Sequence, residues 1–145
     1  MSASSSSFFT NVVAVIIGIF SALAVFFLLI ICCFYMGFAG WTDGGTKEQI
    51  HSLEIRTTIS LIVAGVIGIL IGGFISRYIS AEDEWLPVII TGIFLTAISS
   101  LGYEAGPGTG ILLILTFPVT LAGGWLGRRK PVRQLNKKPF PFDIL

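Results

Sequence analysis

Residues 57–75 read TTISLIVAGVIGILIGGFI, an uncharged run closed by Arg56 on one side and Arg77 just past the other. A helix needs about 20 predominantly apolar residues to cross the hydrocarbon of a bilayer. This run meets that length. It also carries a small residue at every fourth position: Ser60, Ala64, Gly68, Gly72 and Ser76. Lipid tails give apolar helices no hydrophobic reason to associate. Helices in a membrane therefore pack where small side chains let their backbones approach. Gly65 and Gly73 widen the small-residue surface. Read alone, the stretch is a transmembrane helix with a face made for another helix.

The rest of the chain agrees in composition. It has 145 residues, 54% hydrophobic and 12% charged. Soluble domains carry about 25% charged residues. The length suits a single membrane domain and leaves no room for a separate soluble one. Upstream lies an uncharged stretch of about 33 apolar residues, which would be roughly 50 Å as one helix, ending near Gly37, Gly40 and Trp41. It has no basic segment before it and is far longer than a signal-peptide core, so a retained span is expected, with residues 4–7 as a serine tail. Between these spans, residues 42–56 read as a polar loop, with a turn at Asp43-Gly44-Gly45 and a short interfacial helix over 46–54. Downstream, two more apolar runs flank the glycine-rich turn 102–110. The expected fold is all-α, with four transmembrane helices as two tandem hairpins. The spans cover about 8–40, 57–76, 85–101 and 110–127, with a basic cytoplasmic tail at 128–145. Pro118 removes a backbone donor inside the fourth span, so a kink is expected there.

Orientation follows from where the basic residues fall. Cytoplasmic flanks are enriched in Lys and Arg. The tail carries Arg128, Arg129, Lys130, Arg133, Lys137 and Lys138. Four spans then place both termini in the cytoplasm together with Arg77, leaving Lys47 and Arg56 outside. Trp41, Trp85 and Trp125 fall at span ends, where indoles favour the interface. The basic tail is expected to meet anionic lipid headgroups or an acidic partner. The likeness is to the small multi-pass proteins of bacteria, which points to an inner or plasma membrane.

Two segments repeat a pattern. Ile71-Gly72-Gly73-Phe74-Ile75-Ser76-Arg77 matches Ala122-Gly123-Gly124-Trp125-Leu126-Gly127-Arg128 in character. The match suggests two hairpins related by an axis along the membrane normal, as in some transporters. Other helix-packing positions are Gly123 and Gly127 in span four, Ala14, Gly18 and Ala22 in span one, and Gly92, Thr96 and Ser100 in span three.

Catalytic chemistry is not written in this chain. No charge falls inside an expected span. Small multidrug exporters are also short four-span proteins, but they use a glutamate in the first span, which is absent here. Glu104 reads as a solvated turn carboxylate, and Glu82, Asp83 and Glu84 as residues that favour the start of span three. Arg56 and Glu54 read as interface anchors at the head of span two, and Arg77 as an arginine delivered to the cytoplasmic interface at its end. His51 lacks ligand spacing for a metal. Cys32 and Cys33 are adjacent inside an apolar run and read as small hydrophobes. No cofactor, metal or nucleic-acid partner is expected. Two functions stand against each other. One is a non-enzymatic subunit or scaffold acting by glycine-mediated helix packing, with itself or another membrane protein. The other is an oligomeric channel or transporter, in which Thr91, Thr96, Ser99, Thr116 and Thr120 would line water.

Overall fold

The computed structural model describes residues 3–36, 45–80, 84–101 and 107–128. Among them are four helices and no strand: α1 (Ala3–Tyr35), α2 (Lys47–Ile79), α3 (Leu86–Leu101) and α4 (Pro107–Leu126). Two are long and apolar enough to cross a membrane: Ser7–Tyr35 within α1, at mean hydropathy 3.1, and α2, at 2.5. The other two are shorter, with 16 residues in α3 and an apolar part of α4 at Gly110–Leu126. At 1.5 Å per residue α3 is about 24 Å long, against about 50 Å for α1 or α2.

The boundaries depart from the sequence reading in two places. The first helix starts at Ala3, takes in the serine run, and ends at Tyr35, whereas the span was expected over 8–40; positions 37–44 lie outside the described residues. The second helix begins ten residues before the expected span and has no separate interfacial segment. Its 33 residues run unbroken from Lys47. The physical reason is local. The backbone N–H of Thr46 donates to the Gln49 side chain at 3.0 Å, occupying a donor that a helix start otherwise leaves open. Neither glycine nor proline interrupts the chain from there to Gly65. Polarity marks where the apolar run of this helix stops and does not mark where the helix begins. Arg77 and Ile79, beyond the expected span 57–76, belong to its last turn.

Glycines set the packing. A Cβ at Gly72 would lie 2.7 Å from the Ala22 Cβ and 2.8 Å from the Gly18 carbonyl oxygen. At Gly68 it would lie 2.7 Å from the Ala22 carbonyl oxygen. Residue numbers rise along α1 as they fall along α2, so these helices are antiparallel. Gly73 meets the Thr120 carbonyl, Gly65 meets Leu112, and Gly123 meets the Leu70 carbonyl. Numbers rise together there, so α2 and α4 are parallel neighbours. Gly124 packs on Val88 and Gly92 on Phe117, making α3 and α4 antiparallel. Helix α1 also touches α3, which closes a ring in the order α1, α2, α4, α3. Ala22, Ile69 and Leu95 form the buried centre, with Ile19 and Val119 against it.

This ring corrects the expected symmetry. A two-fold axis along the bundle would place α1 diagonally across from α3, and here they are neighbours. The repeated Gly-Gly pair does something more local. Successive residues on a helix point about 100° apart. Gly72 therefore faces α1 while Gly73 faces α4; Gly123 faces α2 while Gly124 faces α3. Each pair seats its helix in a corner between two close neighbours. The repeat is a repeated corner, used once in α2 and once in α4.

Candidate functional site

The starts of α1 and α3 and the ends of α2 and α4 meet at one end of the bundle, where the polar side chains collect. Helix α2 stops at Ser80, whose N–H donates to the Ser76 carbonyl at 3.2 Å. Helix α3 starts beyond Trp85, whose carbonyl accepts from the Ile89 N–H at 3.0 Å. Glu84 sits just ahead of that start. Asn11, in the third turn of α1, donates from Nδ2 to Glu84 Oε2 at 2.6 Å. A carboxylate has no proton to give, so the amide must turn its NH₂ towards it. That leaves the Asn11 carbonyl for Ser80. The Ser80 hydroxyl lies 3.4 Å from Asn11 Oδ1 and 3.3 Å from the Glu84 backbone carbonyl. Its single proton serves one acceptor at a time. The trio is a clasp linking α1, the end of α2 and the entry to α3.

Deeper in, Ser76 Oγ and Thr91 Oγ1 are hydrogen-bonded at 3.0 Å across α2 and α3. Below them Thr120 donates to the Thr116 carbonyl at 2.7 Å, and Thr116 donates to the Leu112 carbonyl at 2.6 Å. Thr91, Thr116 and Thr120 are each 0% exposed. A hydroxyl that bonds its own helix can be buried in apolar surroundings at little cost. Arg77 is 3% exposed and holds its guanidinium carbon 4.3 Å from the centre of the Trp85 ring. The ring face attracts the cation, more strongly once both are out of water. Phe74 stacks on Tyr78 with centroids 6.1 Å apart.

Two apolar hollows flank this polar line. A groove of about 410 Å³ runs between α1 and α3, walled by Phe8, Val12, Ile16, Ile19, Ile90 and Phe94, with Asn11 the polar residue among its lining. A smaller hollow of about 210 Å³ lies further along the bundle between Phe26, Leu61, Leu95 and Leu112. Among the described residues no group of His, Cys, Asp and Glu is placed to hold a metal ion.

Set against family models, curated proteins and solved structures, the chain matches none. The site must therefore be read from its own geometry.

Of the helix-packing residues named from sequence, Gly68, Gly72 and Ser76 lie against α1, and Gly123 and Gly127 lie against α2. Ala64 is buried and Ser60 half-buried. The four-residue stripe is not a straight face. Each step of four turns about 40° around the helix, so Gly68 reaches Ala22 and Phe26, while Ser76 reaches Gly18 and also Thr91. Arg128 is exposed at the end of α4. Arg129, Lys130, Arg133, Lys137 and Lys138 lie outside the described residues, as do Glu82, Asp83 and Glu104. Sequence reading passed over Asn11, Arg77 and Glu84 as site residues. Asn11 carried a usable signal, a lone amide in an otherwise apolar helix. The burial of Arg77 carried none, because Trp85 and Gly127, which cover it, come from other parts of the chain.

Proposed function

We propose that this chain is an integral membrane protein with four spans and both termini in the cytoplasm, working as a non-enzymatic subunit or scaffold. The observation that carries the membrane reading is that the two long apolar helices leave most of their apolar stretches unburied. Only 17% of the most apolar window of α1 is buried, and 33% of that of α2. Phe9, Phe20, Phe27 and Phe34 all point outward from α1. In water each such side chain would stay hydrated at a cost near 25 cal/mol per Å²; against lipid tails it meets its own kind. The two shorter helices are assigned to the same layer, because α3 packs on α1 and α2, and α4 packs on α2. Orientation draws support from Arg77 and Arg128, which share one end of the bundle ahead of the basic tail, while Lys47 and Arg56 occupy the other.

The scaffold reading rests on how the hydroxyls are used. A conduit through one chain needs them to face water. Thr91, Thr116 and Thr120 are buried against neighbouring helices, with their protons given to the backbone or to another hydroxyl. The close glycine contacts are likewise made within the chain. A partner must therefore dock on the large apolar side chains outside, not on the glycine stripe. The test is the mass of the complex extracted in a native-like lipid particle. A mass well above one 15.6 kDa chain, with a partner copy or a second protein in it, supports the reading. A monomer overturns it. A C-terminal reporter active on the far side of the membrane would overturn the orientation.

A further inference from the structure

We infer that the outer face of α4 is a docking surface for a second copy of this chain, which brings the outer face of its α1, and that Ser21 of one copy donates a hydrogen bond to the Ile114 carbonyl of the next. The inference rests on the membrane and scaffold readings above and names their partner. It starts from Pro118, inside α4. A helix carbonyl takes its hydrogen from the N–H four residues on, and proline has none to give. The Ile114 carbonyl is thus deprived of its ordinary donor. Lipid tails cannot replace it, and bare backbone is costly in hydrocarbon. The nearby hydroxyls are committed elsewhere, Thr116 to the Leu112 carbonyl and Thr120 to the Thr116 carbonyl. No other helix of the chain covers this face: Ile114 is 77% exposed, and Pro118 is exposed beside it.

The matching donor sits on the opposite side of the bundle. Ser21 is half-buried midway along α1, and among the described residues nothing accepts a hydrogen bond from its hydroxyl. The depths agree. Ala22 meets α2 at Gly68 and Gly72, while α4 meets α2 from Leu112 at Gly65 to Thr120 at Gly73. Ser21 is therefore level with the turn from Ile114 to Pro118. Helices α1 and α4 stand across the ring from each other, so the two groups cannot meet within one chain. Their outer faces look in opposite directions. Copies set side by side in one orientation bring α1 of one against α4 of the next. In such a head-to-tail contact each chain offers both halves of the bond, and a rotation that closes makes a ring of copies. The relief fits as well. Ser21 and the exposed Ala24 make low ground between Phe20 and Leu28, which are 69% and 61% exposed. Small residues of this kind let a second backbone approach, and Ile114 stands out from α4 to fill the dip.

The experiment is oxidative cross-linking of the full chain in liposomes, with Cys32 and Cys33 replaced by alanine. A chain carrying both Ala24→Cys and Ile114→Cys should give a ladder of two, three and more linked copies, and either substitution alone should give none. A dimer from a single substitution means that like faces meet, and overturns the proposal. So does the absence of a ladder. The bond itself is read by energy transfer between labelled copies. Ser21→Ala removes the donor, and Pro118→Ala restores the N–H that the Ile114 carbonyl lacks, with no side chain lost from the core. Each should weaken association about threefold, as for one interhelical hydrogen bond in a membrane, and the two together should weaken it no further. Unchanged association, or losses that multiply, overturns the bond. The mass in a native-like lipid particle separates this failure from the larger one. An assembly without the ladder sinks this face alone, whereas a monomer sinks the scaffold reading with it.

Discussion

The two halves of α2 share one helix and lead opposite lives. From Lys47 to Val63 it contains no glycine, and Ile50, Ile55, Ile59 and Val63 are all exposed. From Ala64 to Ser80 it carries Gly65, Gly68, Gly72 and Gly73 and touches each of the other three helices. Hydrophobicity alone does not explain the difference, because residues 57–63 are uncharged and still leave Ile59 and Val63 exposed. What differs is whether a second backbone can come close. Helix α2 has neighbours where its side chains are smallest, as expected when packing and not hydrophobic expulsion drives association.

The comparison can be broken most forcefully at the corner. Gly73→Ile would drive a Cβ into the Thr120 backbone, which cannot swing aside as a side chain can. We expect a loss of about 3 kcal/mol, the upper part of the overpacking range, read as a shift in denaturant unfolding of the purified chain in micelles. No loss would mean that α2 and α4 are not in close contact. Next comes Arg77→Ala, which removes a buried cation from the Trp85 ring. A loss of about 2 kcal/mol is expected, with a change in tryptophan emission. Smaller again is the Ser76–Thr91 bond. A double-mutant cycle of Ser76→Ala and Thr91→Val should return a coupling of about 0.6 kcal/mol, the average for such bonds in membranes. Zero coupling would separate α2 from α3 at that level. Smallest of all is Ile50→Ala in the bare half, expected within about 0.5 kcal/mol of the native chain by the same unfolding measurement. A large effect there would mean that something covers it.

How much of this could be read from the chain depended on whether the cause was local. The helical spans and the glycine spacing are local, and residues 57–75 announced both. The early start of α2 was also legible in principle, from Thr46, Gln49 and the lack of a breaker, but its polar side chains resembled those of a loop. Neighbour order was not legible. Gly72-Gly73 and Gly123-Gly124 look alike in sequence, and only the ring α1, α2, α4, α3 shows which helix each glycine admits. The clasp was hidden for the same reason. Asn11 and Glu84 stand 73 residues apart, and no periodicity connects them. Arg77 at a span end reads as an anchor reaching for headgroups, until Trp85 and Gly127 are seen to cover it.

The unequal lengths of the helices have a consequence for the surroundings. The bundle joins a hairpin of two 33-residue helices to one whose members have 16 and 20. A hydrocarbon layer about 30 Å thick is shorter than the apolar stretch Ser7–Tyr35 of α1 and taller than α3. On the proposed membrane reading, lipid would have to stretch along one flank and compress along the opposite one. Both strains ease where a thick patch of membrane meets a thin one. On that reading the molecule would act as a ramp, and a border between patches would suit it best.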